Sequence, residues 1–139
     1  MPDEAVLQET ARWLRYAEED LDGADMLRTS GTPRHSCSLE QQSAEKALKS
    51  IYAFLDMRIV KSHDLDMLKN LLPDGWDVKT RFPDLSELSF WAVESRYPGD
   101  LPEATAEDAD AAVALAGEVL ASVKRGLREH GYPESTRDE

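Results

Sequence analysis

The chain has 139 residues, 41% of them hydrophobic and 32% charged, with 28 acidic against 16 basic side chains and a formal net charge of −12. That is one domain's worth of chain, able to bury roughly two-thirds of its unfolded surface without a staple, and its single cysteine, Cys37, excludes an intramolecular disulfide. So acidic a balance disfavours long-range attraction to a nucleic-acid backbone, whose affinity comes mostly from phosphate neutralisation, although a local basic cleft stays open.

The opening residues, MPDEAVLQET, are acidic and lack an apolar core, so they do not read as a secretory signal. No apolar run approaches the ~20 residues of a membrane span. With one cysteine, these features lead to the expectation of a cytoplasmic protein.

The first helix is expected from about Asp3 to Arg28, with Asp3 as its cap. Trp13, Ala17, Leu21, Ala24 and Leu27 recur at steps of four and three and face a core. Ser30-Gly31-Thr32-Pro33 stops it. A second helix runs from about His35 to Met57 on a stripe of Ala44, Leu48, Ile51 and Leu55. After a basic stretch holding Arg58 and Lys61, a short helix spans about Asp64 to Leu72, with Ser62 placed to cap it and Asp64 and Asp66 suiting its dipole. Pro73 to Asp77 reads as a turn. Another helix is expected from about Leu85 to Tyr97, ended by Pro98-Gly99. The last starts at Thr105, whose partner in a capping box is Asp108, and carries a wide stripe from Ala109 to Leu127. No stretch alternates long enough for a strand. The expected fold is all-α: an up-and-down bundle of four longer helices plus one short one, a single domain over residues 1–130 with a disordered polar tail over 131–139.

Four segments in order resemble the HEPN family (higher eukaryotes and prokaryotes nucleotide-binding): Trp13 to Ala24; Leu39-Glu40-Gln41-Gln42-Ser43-Ala44-Glu45-Lys46-Ala47-Leu48-Lys49; Ser62-His63-Asp64-Leu65 followed by Leu68; and Ser95-Arg96-Tyr97-Pro98 leading to the Thr105 helix. The second is the most specific, and the match covers roughly residues 10 to 128. The resemblance implies a helical bundle that dimerises, a small nucleotidyltransferase as partner in a toxin–antitoxin-like pair, and nucleotide binding. Some members are metal-independent ribonucleases with an Arg followed by four to six residues and a His at the dimer cleft. Here Arg96 is followed by Tyr97-Pro98-Gly99-Asp100-Leu101-Pro102-Glu103, with no His in that window.

Arg96 and His63 are the candidate catalytic residues. A guanidinium clamps phosphate bidentately, and imidazole is the side chain best suited to proton transfer near neutrality. Arg96 reads equally well as a cation at a helix end, and His63 as an organiser of its turn. Lys46, Lys49 and Tyr97 are candidate ligand-binding residues. Against that, Glu45 and Lys49 have the i,i+4 spacing of a surface ion pair, and a Tyr at a helix end usually packs its ring. Gln41 and Gln42 bond across a dimer interface or lie exposed. Three His and one Cys are scattered without ligand spacing, so no metal and no cofactor are expected. The leading expectation is a homodimeric interaction module that binds a nucleotidyltransferase and a nucleotide, its acidic surface facing a more basic partner. The alternative is an enzyme, a metal-independent endoribonuclease with a degenerate Arg-containing site at the dimer cleft. Tyr52 and Trp91, as aromatics that one small bundle leaves uncovered, add to the case for a dimer.

Overall fold

Asp3 opens the first helix by accepting the amide of Val6 at 3.0 Å, so one of the four unpaired N–H groups of the helix start is satisfied at once. The computed structural model describes residues 2–94 and 103–133, and over these it is all-α, with no strand. In chain order the helices are α1 (Glu4–Thr29), α2 (Pro33–Phe54), α3 (Leu65–Asn70), α4 (Asp77–Arg81), α5 (Ser86–Ser89), α6 (Trp91–Glu94) and α7 (Ala106–Glu129).

The three long helices end alike. In α1 the amide of Thr32 reaches the carbonyl of Leu27 at 2.9 Å, across Gly31 at φ 85. In α7 Tyr132 reaches Leu127 at 2.8 Å, across Gly131 at φ 102. In α2 Met57 reaches Tyr52 at 2.9 Å, and there the left-handed position is filled by Asp56 at φ 54. All three are Schellman caps, which satisfy orphan carbonyls by turning the chain through a left-handed residue. Thr105 and Asp108 form the expected capping box of α7.

The short turn between α1 and α2 makes them antiparallel neighbours with the most extensive helix interface, and α7 packs chiefly on α2. Small side chains let them approach closely: Ala17, Ala24, Ala44, Ala47, Ala109 and Ala116 are fully buried. Two serines of α2 also reach carbonyls of α1, Ser43 to Ala17 and Ser36 to Ala24, each at 2.7 Å.

The region between α2 and α7 differs most from expectation. Pro73 to Asp77 leads directly into α4, whose Asp77 carboxylate accepts from Ser122 at 2.6 Å and Arg125 at 3.1 Å of α7. Trp76, 2% exposed, lies against Gly126 and stacks on His130 with ring centroids 3.8 Å apart. Of the helix expected from Leu85 to Tyr97, the described residues to Glu94 hold α5 and α6, separated at Phe90, with Leu85, Leu88 and Ala92 buried; residues 95–97 lie outside the described residues. Asp64, not Ser62, caps α3, accepting the amide of Met67; the Ser62 hydroxyl accepts the amide of Asp64. Tyr132 packs against the core, edge-on to Phe54. Of the tail expected to be disordered, residues 134–139 lie outside the described residues. No helix among the described residues is long and apolar enough to cross a membrane.

Candidate functional site

Gln41, Glu45 and Lys49 repeat every four residues, which stacks them on one face of α2. That face is buried: the three residues are 1%, 8% and 8% exposed. The Glu45–Lys49 pair expected on the surface is therefore an internal one, with Lys49 Nζ donating to Glu45 Oε2 at 2.7 Å. Gln41 is no loose surface amide. Its Nε2 donates to Glu45 Oε1 at 3.2 Å and to the carbonyl of His63 at 3.1 Å. Gln42 Nε2 donates to Ser38 at 3.4 Å.

This polar ladder holds His63. Its Nδ1 lies 2.9 Å from Glu45 Oε1, while its backbone carbonyl is tied by Gln41. The side chain is 53% exposed, so the ring is anchored at one edge and open to solvent. Burial pushes the Glu45 carboxyl up, but hydrogen bonds from Lys49, His63 and Gln41 outweigh it and hold the group below the usual glutamate value. Glu45 is thus a carboxylate, which can only accept and so fixes the Nδ1–H edge of the ring. A carboxylate-oriented histidine of this kind can serve acid–base chemistry.

The lysines expected to bind a ligand are already engaged. Lys46 Nζ donates to Asp20 at 2.6 Å, and it lies 6.0 Å from the centroid of the Tyr16 ring. Lys49 is held by Glu45 and sits 6.0 Å from the Trp13 ring centroid. Neither presents an unpaired charge to a phosphate. Arg96 and Tyr97, the other two candidates, lie outside the described residues. Tyr52 is 1% exposed, with its hydroxyl donating to Leu68 O at 2.7 Å, so it contributes nothing to a dimer surface; Trp91 is half-buried. The large apolar side chains that do reach solvent include Met67, Leu71 and Phe90.

Burial, with the nearby Glu40 and Asp108, pushes the Cys37 thiol up to about 12, which keeps it a neutral core residue. Among the described residues no group of three His, Cys, Asp or Glu side chains is placed to hold a metal ion.

A second feature had no signal in the sequence. A cleft of about 760 Å³ opens between α5, α6 and the first turns of α7. Its described walls combine an apolar floor of Leu88, Trp91, Ala112 and Leu115 with the carboxylates of Glu87, Glu103 and Asp108. The residues come from two stretches of chain, 87–91 and 103–115, that only the tertiary fold brings together.

No curated protein matches the chain. Two solved structures do. One is a protein of Thermus thermophilus, TT1696, 27% identical, with a TM-score of 0.76 over 85% of this chain and 98% of that one. The other, ST0689, is described as an archaeal HEPN homologue; it is 29% identical, with a TM-score of 0.63 over 84% of this chain and 95% of its own. The model of the HEPN domain matches residues 10–126, a span that holds all three long helices almost entire, the ladder on α2 and His63. On sequence and on fold alike, the chain belongs to the HEPN domain family.

Proposed function

We propose that the chain is a homodimeric HEPN interaction module that docks a small nucleotidyltransferase, as one half of a toxin–antitoxin-like pair, and takes a nucleotide in the assembled complex. The observation that carries this reading is the cleft beside α7. Its described charged groups, Glu87, Glu103 and Asp108, are all acidic, and its floor is apolar. Such a surface repels a phosphate and suits a basic, partly apolar segment of a protein partner. The net charge of −12 and the internal pairing of Lys46 and Lys49 support the same reading. Exposed Met67, Leu71 and Phe90 offer apolar contact area to a second copy. The experiment is co-purification with a co-expressed small nucleotidyltransferase, with mass measured by light scattering. A dimer that retains the nucleotidyltransferase is the expected result; a monomer that retains nothing overturns the proposal.

One observation favours a second reading, that of a metal-independent endoribonuclease. His63 is oriented by a buried carboxylate and open at Nε2, the arrangement a general base for a 2′-hydroxyl needs. In that reading Arg96 holds the phosphate and Glu45 positions His63. It predicts RNA cleavage in EDTA that is lost in His63→Ala and in Arg96→Ala while the circular dichroism is unchanged. Absence of cleavage by the wild type removes it.

A further inference from the structure

Glu40 is fully buried on α2, at the corner where α1 turns into α2 and α7 closes over both. One turn earlier the Ser36 hydroxyl oxygen lies 2.7 Å from the carbonyl oxygen of Ala24 and 2.9 Å from Glu40 Oε2. A serine hydroxyl has one proton to give. The carbonyl brings none, and a carboxylate would bring none either; with the hydroxyl donating to Ala24 at the shorter distance, a hydrogen bond on the Ser36–Glu40 line takes its proton from the carboxyl. Glu40 Oε1, meanwhile, is buried with no hydrogen-bond partner, a placement far less costly for a neutral carboxyl than for an anion. The count of protons and the orphaned oxygen both favour the protonated form of Glu40.

The surrounding charges are consistent with that state. From α1 the group faces Arg28 and Asp25, from α7 Asp110, and on its own helix Ser36 and Cys37. Burial pushes its pKa up to about 7, and Asp25 and Asp110 add to the rise; Arg28 opposes it, as does the Ser36 hydroxyl when it turns its proton to the ionised carboxylate. Arg28 is itself engaged by Asp25 and Asp110, at 2.6 and 3.0 Å, so it is not free to pair with Glu40.

We propose that the Glu40 carboxyl is a proton-operated latch: protonated, it donates to Ser36, which donates on to the Ala24 carbonyl and ties α2 to the end of α1, and loss of the proton loosens that corner. Gln41, which holds His63, is the next residue along α2, so the latch adjoins the ladder described above.

The sign follows from linkage. The folded group titrates near 7 and the unfolded one near 4.5, so between those values the folded chain holds one proton more. The stabilisation is complete below the unfolded value and is lost as the pH rises through the folded one. Equilibrium unfolding in urea from pH 5 to pH 8, wild type beside Glu40→Gln, tests this. Glutamine keeps the shape and can donate to Ser36 at every pH. Relative to the variant, the wild-type unfolding constant is expected to rise roughly tenfold per pH unit up to pH 7, and to flatten beyond. Backbone amide exchange over the α1–α2 turn, corrected for the intrinsic rate, is expected to quicken above pH 7 in the wild type alone. A wild-type-to-variant ratio that is constant with pH, or exchange that does not change, overturns the latch. If the variant does not fold, carboxyl-labelled glutamate resonances of the wild type decide: one titrating near 7 supports it, and all titrating in the ordinary range overturn it.

Discussion

At the scale of single residues, two positions show how local geometry sets a measurable stability. Asp56 occupies the left-handed position that glycine fills at the ends of α1 and α7. A left-handed conformation costs a side-chain-bearing residue about 1–2 kcal/mol, while glycine costs about 0.4–1 kcal/mol in unfolded-chain entropy. Asp56→Gly is therefore expected to stabilise by roughly 0.5–1 kcal/mol, measured by urea unfolding. Gly126 is the opposite case. A Cβ there would lie 2.9 Å from the Trp76 ring, which is 2% exposed, stacked on His130 and edge-on to Phe54. Alanine is normally the better helix former by about 1 kcal/mol, yet Gly126→Ala is expected to destabilise by about 1–3 kcal/mol through overpacking. His63 carries a prediction of a different kind. With Glu45 ionised, nitrogen NMR of the neutral ring is expected to show the proton on Nδ1, and Glu45→Ala to release the ring to the usual mixture of tautomers. None of these residues shows its neighbours in the sequence. Glu45 and Lys49 have the spacing of any exposed ion pair, and whether that face of α2 meets water is decided by His63, 18 residues beyond Glu45, and by Trp13 of α1.

At the scale of elements, the long helices were legible because each carries a periodic stripe and explicit end signals. Asp3, Ser30-Gly31, Thr105 and Asp108 all act as their residue types predict. Of the short helices, α3 was legible from the acidic start at Asp64 and Asp66, and α4 was not. Five residues from Asp77 to Arg81 hold too little of a period to announce a helix, and α4 exists because Asp77 is docked on α7. Hydrogen bonds from Arg81, Ser122 and Arg125 hold the Asp77 carboxyl well below the usual aspartate range. A group depressed in this way contributes stability above its unfolded pKa of about 4 and loses it as the pH falls below that value. Asp77→Asn is expected to destabilise by about 1–2 kcal/mol at pH 7, taking exposed hydrogen bonds to a charged group at the low end of their range, and to flatten the acid limb of the stability curve. Equal acid sensitivity in wild type and variant would show that α4 does not depend on this carboxylate. The stretch expected as one helix to Tyr97 breaks at Phe90, and the two turns it yields line one side of the acidic cleft.

At the scale of the whole molecule, charge and fold point the same way. The basic groups expected to gather a ligand on α2 are taken up internally, Lys46 by Asp20 and Lys49 by Glu45, so the α2 face offers a phosphate nothing from these two lysines. The described lining of the cleft beside α7 carries carboxylates. Composition already disfavoured a nucleic-acid surface, but it could not show where the acidic groups converge, because Glu87, Glu103 and Asp108 are brought together only by the packing of α5 and α6 beside α7. The interaction reading rests on that convergence, and charge reversal there tests it without touching Asp108, which is needed for the cap of α7. The most direct measurement is a calorimetric titration of the purified protein with the small nucleotidyltransferase, at low and high salt, for the wild type and for Glu87→Lys combined with Glu103→Lys. Both positions are exposed, so the folded bundle is expected to survive the change. The account predicts binding by the wild type that weakens with salt and falls at least tenfold in the variant. Binding of equal strength in the two proteins would move the partner away from this cleft, and no binding by the wild type would contradict the account at its centre.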